Sequence, residues 1–298
     1  MKISDRINIE AARHAVGIHR DWSEAEYFAF PALNHSLIDH GLRSMAHFYA
    51  ELMNPQPFDS DAMRLGTAMH WAVFEPKRLE TGCVRSEKFD RRTGEGKAAA
   101  YEFEKKNEGA LILEPEAYEQ LIGMRQSIAR ADRVRCRKLL EHAGPMEAAA
   151  VWIDPETGLP CKAKLDKFIP NVLALDLKTT IDASPDAFAR AVARFGYHRQ
   201  ASWYIDGFRL ATGEETPFTF VAIEKSPPFG VGLYSLGIET LGVGRSQNRR
   251  LLREIKASME SGVWADYPDE VKELELPKWA LKLDEGGMPK IEDFEHSF

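Results

Sequence analysis

Apolar spacing divides the chain into a helix-patterned first half and a strand-bearing second half. Ile38, Leu42, Met45, Phe48 and Tyr49 recur at helical intervals within 25–53, predicting an amphipathic helix entered near Asn34 or Ser36. A second helix is predicted over 61–74, and the Glu75-Pro76 step ends it because a residue before proline disfavours the α region. Residues 88–106 begin as a charged, glycine-containing loop and turn helical after Gly96. The spacing of Leu121, Met124, Ile128, Leu139 and Leu140 predicts one or two more helices over 114–142.

Shorter apolar runs then take over. Strands are predicted over 148–153, 160–169 and 172–178, separated by the turn-forming Asp154-Pro-Glu-Thr-Gly158 and by Pro170-Asn171. The third run has two chemically different faces: Leu173, Leu175 and Leu177 on one, Val172, Ala174, Asp176 and Lys178 on the other. Together they read as an antiparallel three-stranded meander. Ser184-Pro185-Asp186 opens a helix that Gly196 ends, and a second helix follows over 198–210. Two further strands, 219–223 and 230–238, precede a long helix over 246–260 that carries Arg249, Arg250 and Arg253.

No apolar run reaches the roughly 18 residues of a spanning helix, and charges occupy the opening residues where a signal peptide needs an apolar stretch. The expectation is a cytoplasmic protein without membrane contact. Cys83, Cys136 and Cys161 are odd in number and scattered, which predicts no disulfide framework or zinc ribbon. Three thiols also cannot supply a four-cysteine iron-sulfur cluster. A net charge of −7 argues against polyanion binding through overall charge. It leaves open a protein whose basic groups line one groove while its carboxylates gather at a metal.

Asp176 and Lys178 share a strand face because side chains alternate with period two. Asp166, ten positions earlier, sits near the end of the preceding strand, where a hairpin brings the two aspartates within reach of one ion. Hard carboxylate oxygens suit Mg²⁺ or Mn²⁺ in phosphodiester hydrolysis, and a neighbouring ammonium can orient water or offset developing charge. The triplet alone is weak, since Glu75/Lys77, Glu95/Lys97, Glu104/Lys106, Glu254/Lys256 and Glu270/Lys272 repeat it. What distinguishes Asp176/Lys178 is its apolar strand; hydrolysis and a structural salt bridge both fit. His70 by itself reads as a packing or hydrogen-bonding helix residue. Gln200 and Tyr204, four apart on one helix face, read equally as a packing pair.

Residues 161–208 place an aspartate, then Asp-Leu-Lys-Thr, then Gln-x-x-x-Tyr in an order that resembles the nuclease core of the RecE-like (exonuclease VIII) phage and prophage recombination exonucleases, of the PD-(D/E)XK type. Upstream, RLGTAMHWAVFEP (64–76) is similar to that family's Leu-Gly-x-x-x-His helix, and DRRTGEGKAA (90–99) adds to the likeness. Downstream, YPDEVKELELPKWA (267–280) is similar to its Leu-Pro-x-Trp segment, so the likeness runs from about Ser36 to Ala280.

The resemblance implies an α/β fold, a PD-(D/E)XK core of central mixed sheet flanked by helices with a helical N-terminal elaboration. It implies one nuclease domain over 1–298: a mainly helical part over 1–142 carrying His70, the catalytic core over 143–262, and an extension over 263–298. His70, Asp166 and Asp176 become metal-site residues, Lys178 the catalytic lysine, Glu147 an additional site acid, and Gln200 and Tyr204 supporting or DNA-contacting groups. Lys164 stands where an arginine is expected, keeping the charge without the planar fork.

The implied activity is Mg²⁺-dependent digestion of linear double-stranded DNA from 5′ ends, with Mn²⁺ as a substitute, in a homo-oligomer working beside a single-strand annealing protein. Arg190, Arg194 and Arg199 are expected phosphate contacts. Alternatives are a RecB-like or CRISPR-associated type of nuclease, an endonuclease, or a non-catalytic DNA-binding recombination scaffold. Intact Asp166, Asp176 and Lys178 argue against the scaffold.

Overall fold

Turn chemistry fixes the three predicted meander strands. In the structure, a computed structural model that describes residues 2–55, 60–130, 132–142 and 146–277, these are β4 (Met146–Ile153), β5 (Pro160–Ile169) and β6 (Leu173–Thr180). Asp154 Oδ2 accepts from Thr157 N (2.8 Å) and Thr157 Oγ1 (2.7 Å), and Gly158 takes φ +72° to close the first turn. Asn171, at φ +60°, closes the second, a conformation asparagine tolerates better than most residues.

The preceding elements are α1 (Ile9–His14), β1 (Gly17–His19), α2 (Glu24–Ala29), α3 (His35–Asp39), α4 (Met45–Met53), α5 (Asp61–Phe74), α6 (Pro76–Gly82), β2 (Cys83–Arg85), α7 (Gly94–Lys106), β3 (Leu111–Leu113), α8 (Pro115–Ile128) and α9 (Val134–Glu141). After β6 come α10 (Pro185–Arg194), α11 (Tyr197–Thr212), β7 (Phe218–Glu224), β8 (Val231–Tyr234) and α12 (Ile238–Ser261). Among the described residues six strands form a mixed sheet in the order β1-β4-β5-β6-β7-β8, with only β6 and β7 parallel. A separate parallel pair joins β2 to β3.

Each sheet face is covered. Leu173, Leu175 and Leu177 pack with Val221 and Ile223 against Leu65 and Met69 of α5 and Leu121 and Met124 of α8. The opposite face sets Phe168 and Phe220 among Phe188 of α10, Phe208 of α11 and Leu251 of α12. The result is an α/β fold with helices on both sides of a mixed sheet. Contacts divide the chain into 1–265 and 266–298; within the second unit, described residues 266–277 contain no helix or strand. Trp279 and Ala280 of the Leu-Pro-x-Trp segment lie outside the described residues.

Several expected boundaries move. The helix expected within 25–53 is broken into α3, a 3₁₀ turn (His40–Leu42) and α4, because Ser44 starts a new helix by accepting from His47 N. The strand expected over 230–238 ends at Tyr234, and the last helix begins at Ile238, eight residues before the expected 246. Gly242 and Gly244, poor helix formers, hide this start. Gly244 is where α12 lies against α11: a Cβ there would stand 2.3 Å from the His198 carbonyl oxygen. Residues 1–142 also supply β1, which pairs with β4 and extends the central sheet.

Candidate active site

Strands β5 and β6 pair only from Lys167–Ile169 to Leu173–Leu175; beyond this they part, and β6 continues along β7 as far as Thr180. The freed edge of β5 is satisfied in two ways. Near its start, Leu33 N donates to Pro160 O (2.9 Å) and Lys162 N to Leu33 O (2.7 Å). Closer to the fork, a side chain replaces the missing strand, as Asp166 Oδ2 accepts from Leu177 N at 2.6 Å. Between these points opens a cavity of about 310 Å³, lined by Lys164 and Asp166 of β5, His70 of α5, Tyr27 and Phe28 of α2, Tyr204 of α11, and Glu147.

Helix α5 brings His70 to this fork. Its Nε2 lies 3.1 Å from the Leu177 carbonyl, which can only accept, so that nitrogen carries a proton. Its Nδ1 faces Asp166 Oδ1 at 3.2 Å. Burial pushes the imidazole down, but the charge and hydrogen bond of Asp166, with help from Asp176, raise it to about 9. Burial likewise pushes the Asp166 carboxyl up; His70, the Leu177 amide and Lys178 outweigh this and hold it below the usual aspartate range.

Asp176 and Lys178 occupy the same face of β6, as alternation requires. The Asp176 side chain is 4% exposed, and its Oδ2 lies 2.7 Å from Lys178 Nζ. Burial, reinforced by the Asp166 charge, drives the Asp176 carboxyl up to about 6 despite the opposing lysine. Burial pushes the Lys178 ammonium down, but the Asp176 carboxylate dominates and raises it. Lys178 Nζ also lies 4.9 Å from the Tyr197 ring centroid. Neither Asp176 nor Lys178 lines the cavity wall; Lys178 acts through its charge on both Asp166 and His70, and Asp176 on His70.

The other expected site residues gather in two pairs. Lys164 Nζ bonds Glu147 Oε2 at 2.6 Å, and Glu147 holds φ +54°, a conformation costly for a residue with a Cβ. Beside it, the Glu75 carboxyl is raised, first by burial and then by the Glu147 charge. Gln200 Nε2 donates to Tyr204 Oη at 3.0 Å. Burial raises Tyr204 well above the ordinary phenol range, so its hydroxyl stays neutral. Of the arginines expected to meet phosphate, Arg190 and Arg194 are exposed, whereas Arg199 forks onto Asp39 at 3.2 and 3.0 Å.

Among the described residues no group of three His, Cys, Asp or Glu side chains is arranged to hold a metal ion, and Asp176 is turned onto Lys178. The donor set nevertheless fits a hard divalent cation. His70 Nδ1 and Asp166 Oδ1 have about the separation of two ligands on one small ion, and Asp176 Oδ2 is buried without a well-formed hydrogen bond. The sequence reading missed Tyr197, although it precedes Gln200 by three and Tyr204 by seven on one helix face. It also missed Glu24, Tyr27, Phe28 and Asn34 on the cavity wall, which belong to segments too short to show a period.

Residues 34–276 match the family model of a PDDEXK-like domain of unknown function (DUF3799), and the chain belongs to this family. A comparison with curated proteins found no match. Among solved structures, the crystal structure of an inferred exonuclease from Eubacterium rectale aligns with a TM-score of 0.57 at 16% identity, covering 87% of this chain and 97% of that one. At that identity the likeness establishes a shared fold, and the family match makes it an α/β fold of the PD-(D/E)XK type. Among the described residues no helix is long and apolar enough to cross a membrane.

Proposed function

We propose that this protein is a metal-dependent deoxyribonuclease whose site is built from His70, Asp166, Asp176 and Lys178. One observation carries this reading: the buried Asp176 carboxylate and the partly exposed Lys178 ammonium share one face of β6 at a strand fork whose other prong presents Asp166, 3.2 Å from His70 of α5. Buried ionisable groups with strongly displaced pKa values at a cleft are the usual mark of chemistry. Mg²⁺ held by His70, Asp166 and Asp176 would supply positive charge to the phosphate and make a water more acidic. The Leu177 carbonyl fixes the Nε2–H tautomer, leaving Nδ1 as the ligating nitrogen. Lys178 keeps its proton beside Asp176, so its ammonium can orient the attacking water and offset charge on the phosphate oxygens. Tyr204 donates a neutral hydroxyl to the cavity, and Gln200 fixes its direction.

Exonuclease action on linear duplex from 5′ ends, in cytoplasmic recombination beside a single-strand annealing protein and as a homo-oligomer, is the finer form of the proposal. The RecE-like motif order and the description of the Eubacterium rectale neighbour as an inferred exonuclease support it. The test is incubation with Mg²⁺ of linear duplex labelled at either end, beside a covalently closed circle. Expected are loss of 5′ label first and an intact circle. Rapid cutting of the circle assigns an endonuclease instead, and no cleavage of any DNA with Mg²⁺ or Mn²⁺ rejects the reading.

A further inference from the structure

One wall of the cavity is formed by α2, a six-residue helix fixed at both ends. At its start, Ser23 and Glu26 form a capping box, the Glu26 carboxylate accepting from Ser23 N at 2.7 Å. At its end, the buried Lys162 ammonium donates to the carbonyls of Tyr27 (2.6 Å), Phe28 (3.2 Å) and Phe30 (2.7 Å). Tyr27 is buried beneath the helix, 6% exposed. Phe28, its neighbour, is 61% exposed. A phenylalanine left in water on an anchored backbone forgoes the gain of burial, and an aromatic face at the mouth of a cleft is the usual platform for a stacked base.

Beyond Phe28 lies a second hollow of about 270 Å³, and the two cavities share Phe28, Asn34 and Ser36, so Phe28 is the ridge between them. The second hollow joins an apolar wall of Phe30, Leu37 and Leu52 to charged groups of both signs: the carboxylates Asp5 and Glu51, and Arg6, whose Nε is buried without a hydrogen-bond partner. An apolar surface beside an unsatisfied guanidinium nitrogen suits one nucleotide, its base on the aromatic ring and its phosphate on the arginine. Hollows this small take one strand and exclude stacked duplex.

We infer that the second hollow is a nucleotide subsite for the strand entering the catalytic cavity, in which Phe28 stacks a base and Arg6 holds the adjoining phosphate. The inference rests on the deoxyribonuclease reading and specifies how that site takes its substrate: an unpaired end, threaded past α2. Phe28 and Arg6 are positioning residues.

The test uses the full chain with Lys178→Ala, to stop turnover, and a duplex with a short single-stranded end carrying 5-iododeoxyuridine. Irradiation is expected to crosslink the probe to the peptide containing Phe28. In anisotropy titrations Phe28→Ala should weaken binding roughly 5- to 100-fold with the salt slope unchanged, and Phe28→Trp should restore it where Phe28→Leu does not. Arg6→Met should lower the slope of log K against log salt by about 0.7, one single-strand phosphate contact. Because the Phe28 ring is exposed, circular dichroism should be unaltered in its variants. Wild-type cleavage together with Leu-for-Phe binding equal to wild type, or a crosslink elsewhere, overturns the subsite alone. A wild-type protein that neither binds nor cleaves DNA overturns the parent reading as well.

Discussion

The lysines of β5 and of β6 keep opposite company. On β5, Lys167 (1% exposed) donates to the Leu140 carbonyl at 2.6 Å, and Lys162 (3% exposed) satisfies three carbonyls at the end of α2. Both ammonium groups finish helices whose last carbonyls lack partners, and burial pushes both down, Lys162 to about 8 with help from Arg6. On β6, where the two strands have parted, the partly exposed Lys178 meets a carboxylate and is pushed up. Burial of a lysine therefore carries no functional information here; the charge of its partner does. Two histidines repeat the contrast. His70, among aspartates, rises to about 9, while burial drives His35 down to about 4 against the opposing Asp39, with Arg199, Lys178 and His198 pushing the same way as burial.

The strongest way to break this contrast is at the fork. Asp166→Ala and Asp176→Ala should each lower cleavage by about three orders of magnitude or more with the circular dichroism spectrum retained; activity at millimolar Mg²⁺ in either variant removes that residue from the metal site. Lys178→Ala should cost roughly 10²- to 10³-fold in turnover while metal and DNA binding persist, and Lys178→Arg should rescue little, because a forked guanidinium does not reproduce a point charge. Wild-type turnover in Lys178→Ala would make it a structural lysine like the other two.

The remaining tests act on stability. His35 takes a proton near pH 4 when folded and about 6.5 when unfolded, so the unfolded chain protonates first as pH falls. Its contribution is intact above about 6.5 and lost toward 4, by up to roughly 3 kcal/mol. Urea unfolding should find His35→Gln gaining on wild type across that window; a constant difference from pH 7 to 4.5 would mean His35 does not titrate as its surroundings require. Smallest, Lys167→Met should remove about 1–2 kcal/mol by stranding the Leu140 carbonyl, with turnover per folded molecule unchanged. A drop in turnover would erase the distinction between the lysines of β5 and Lys178.

Period two and turn residues made the meander and the shared face of Asp176 and Lys178 legible, because both are local properties. The approach of His70 to Asp166, 96 positions apart in the chain, is a long-range contact that no spacing encodes, and only the RecE-like motif order pointed to it. Arg199 looked like a phosphate contact because sequence does not reveal that Asp39 occupies its fork. The wall formed by α2 escaped because six residues are too few to establish a helical period, and its anchor, Lys162, lies 135 positions from Tyr27. Nor does any pattern announce the left-handed backbone of Glu147.

Gly244 gives the site a distant vulnerability. It touches none of the proposed catalytic groups, yet it sets how closely α12 lies on α11, whose first half holds Tyr197, Gln200 and Tyr204. A single added methyl would meet the His198 carbonyl and the Ser202 hydroxyl at 2.3 and 2.7 Å, and backbone on that side has little room to yield. Drift at this outlying position would thus be read out as misalignment of the cavity, so the sequence constraint on the chemistry extends one helix farther than the chemistry itself.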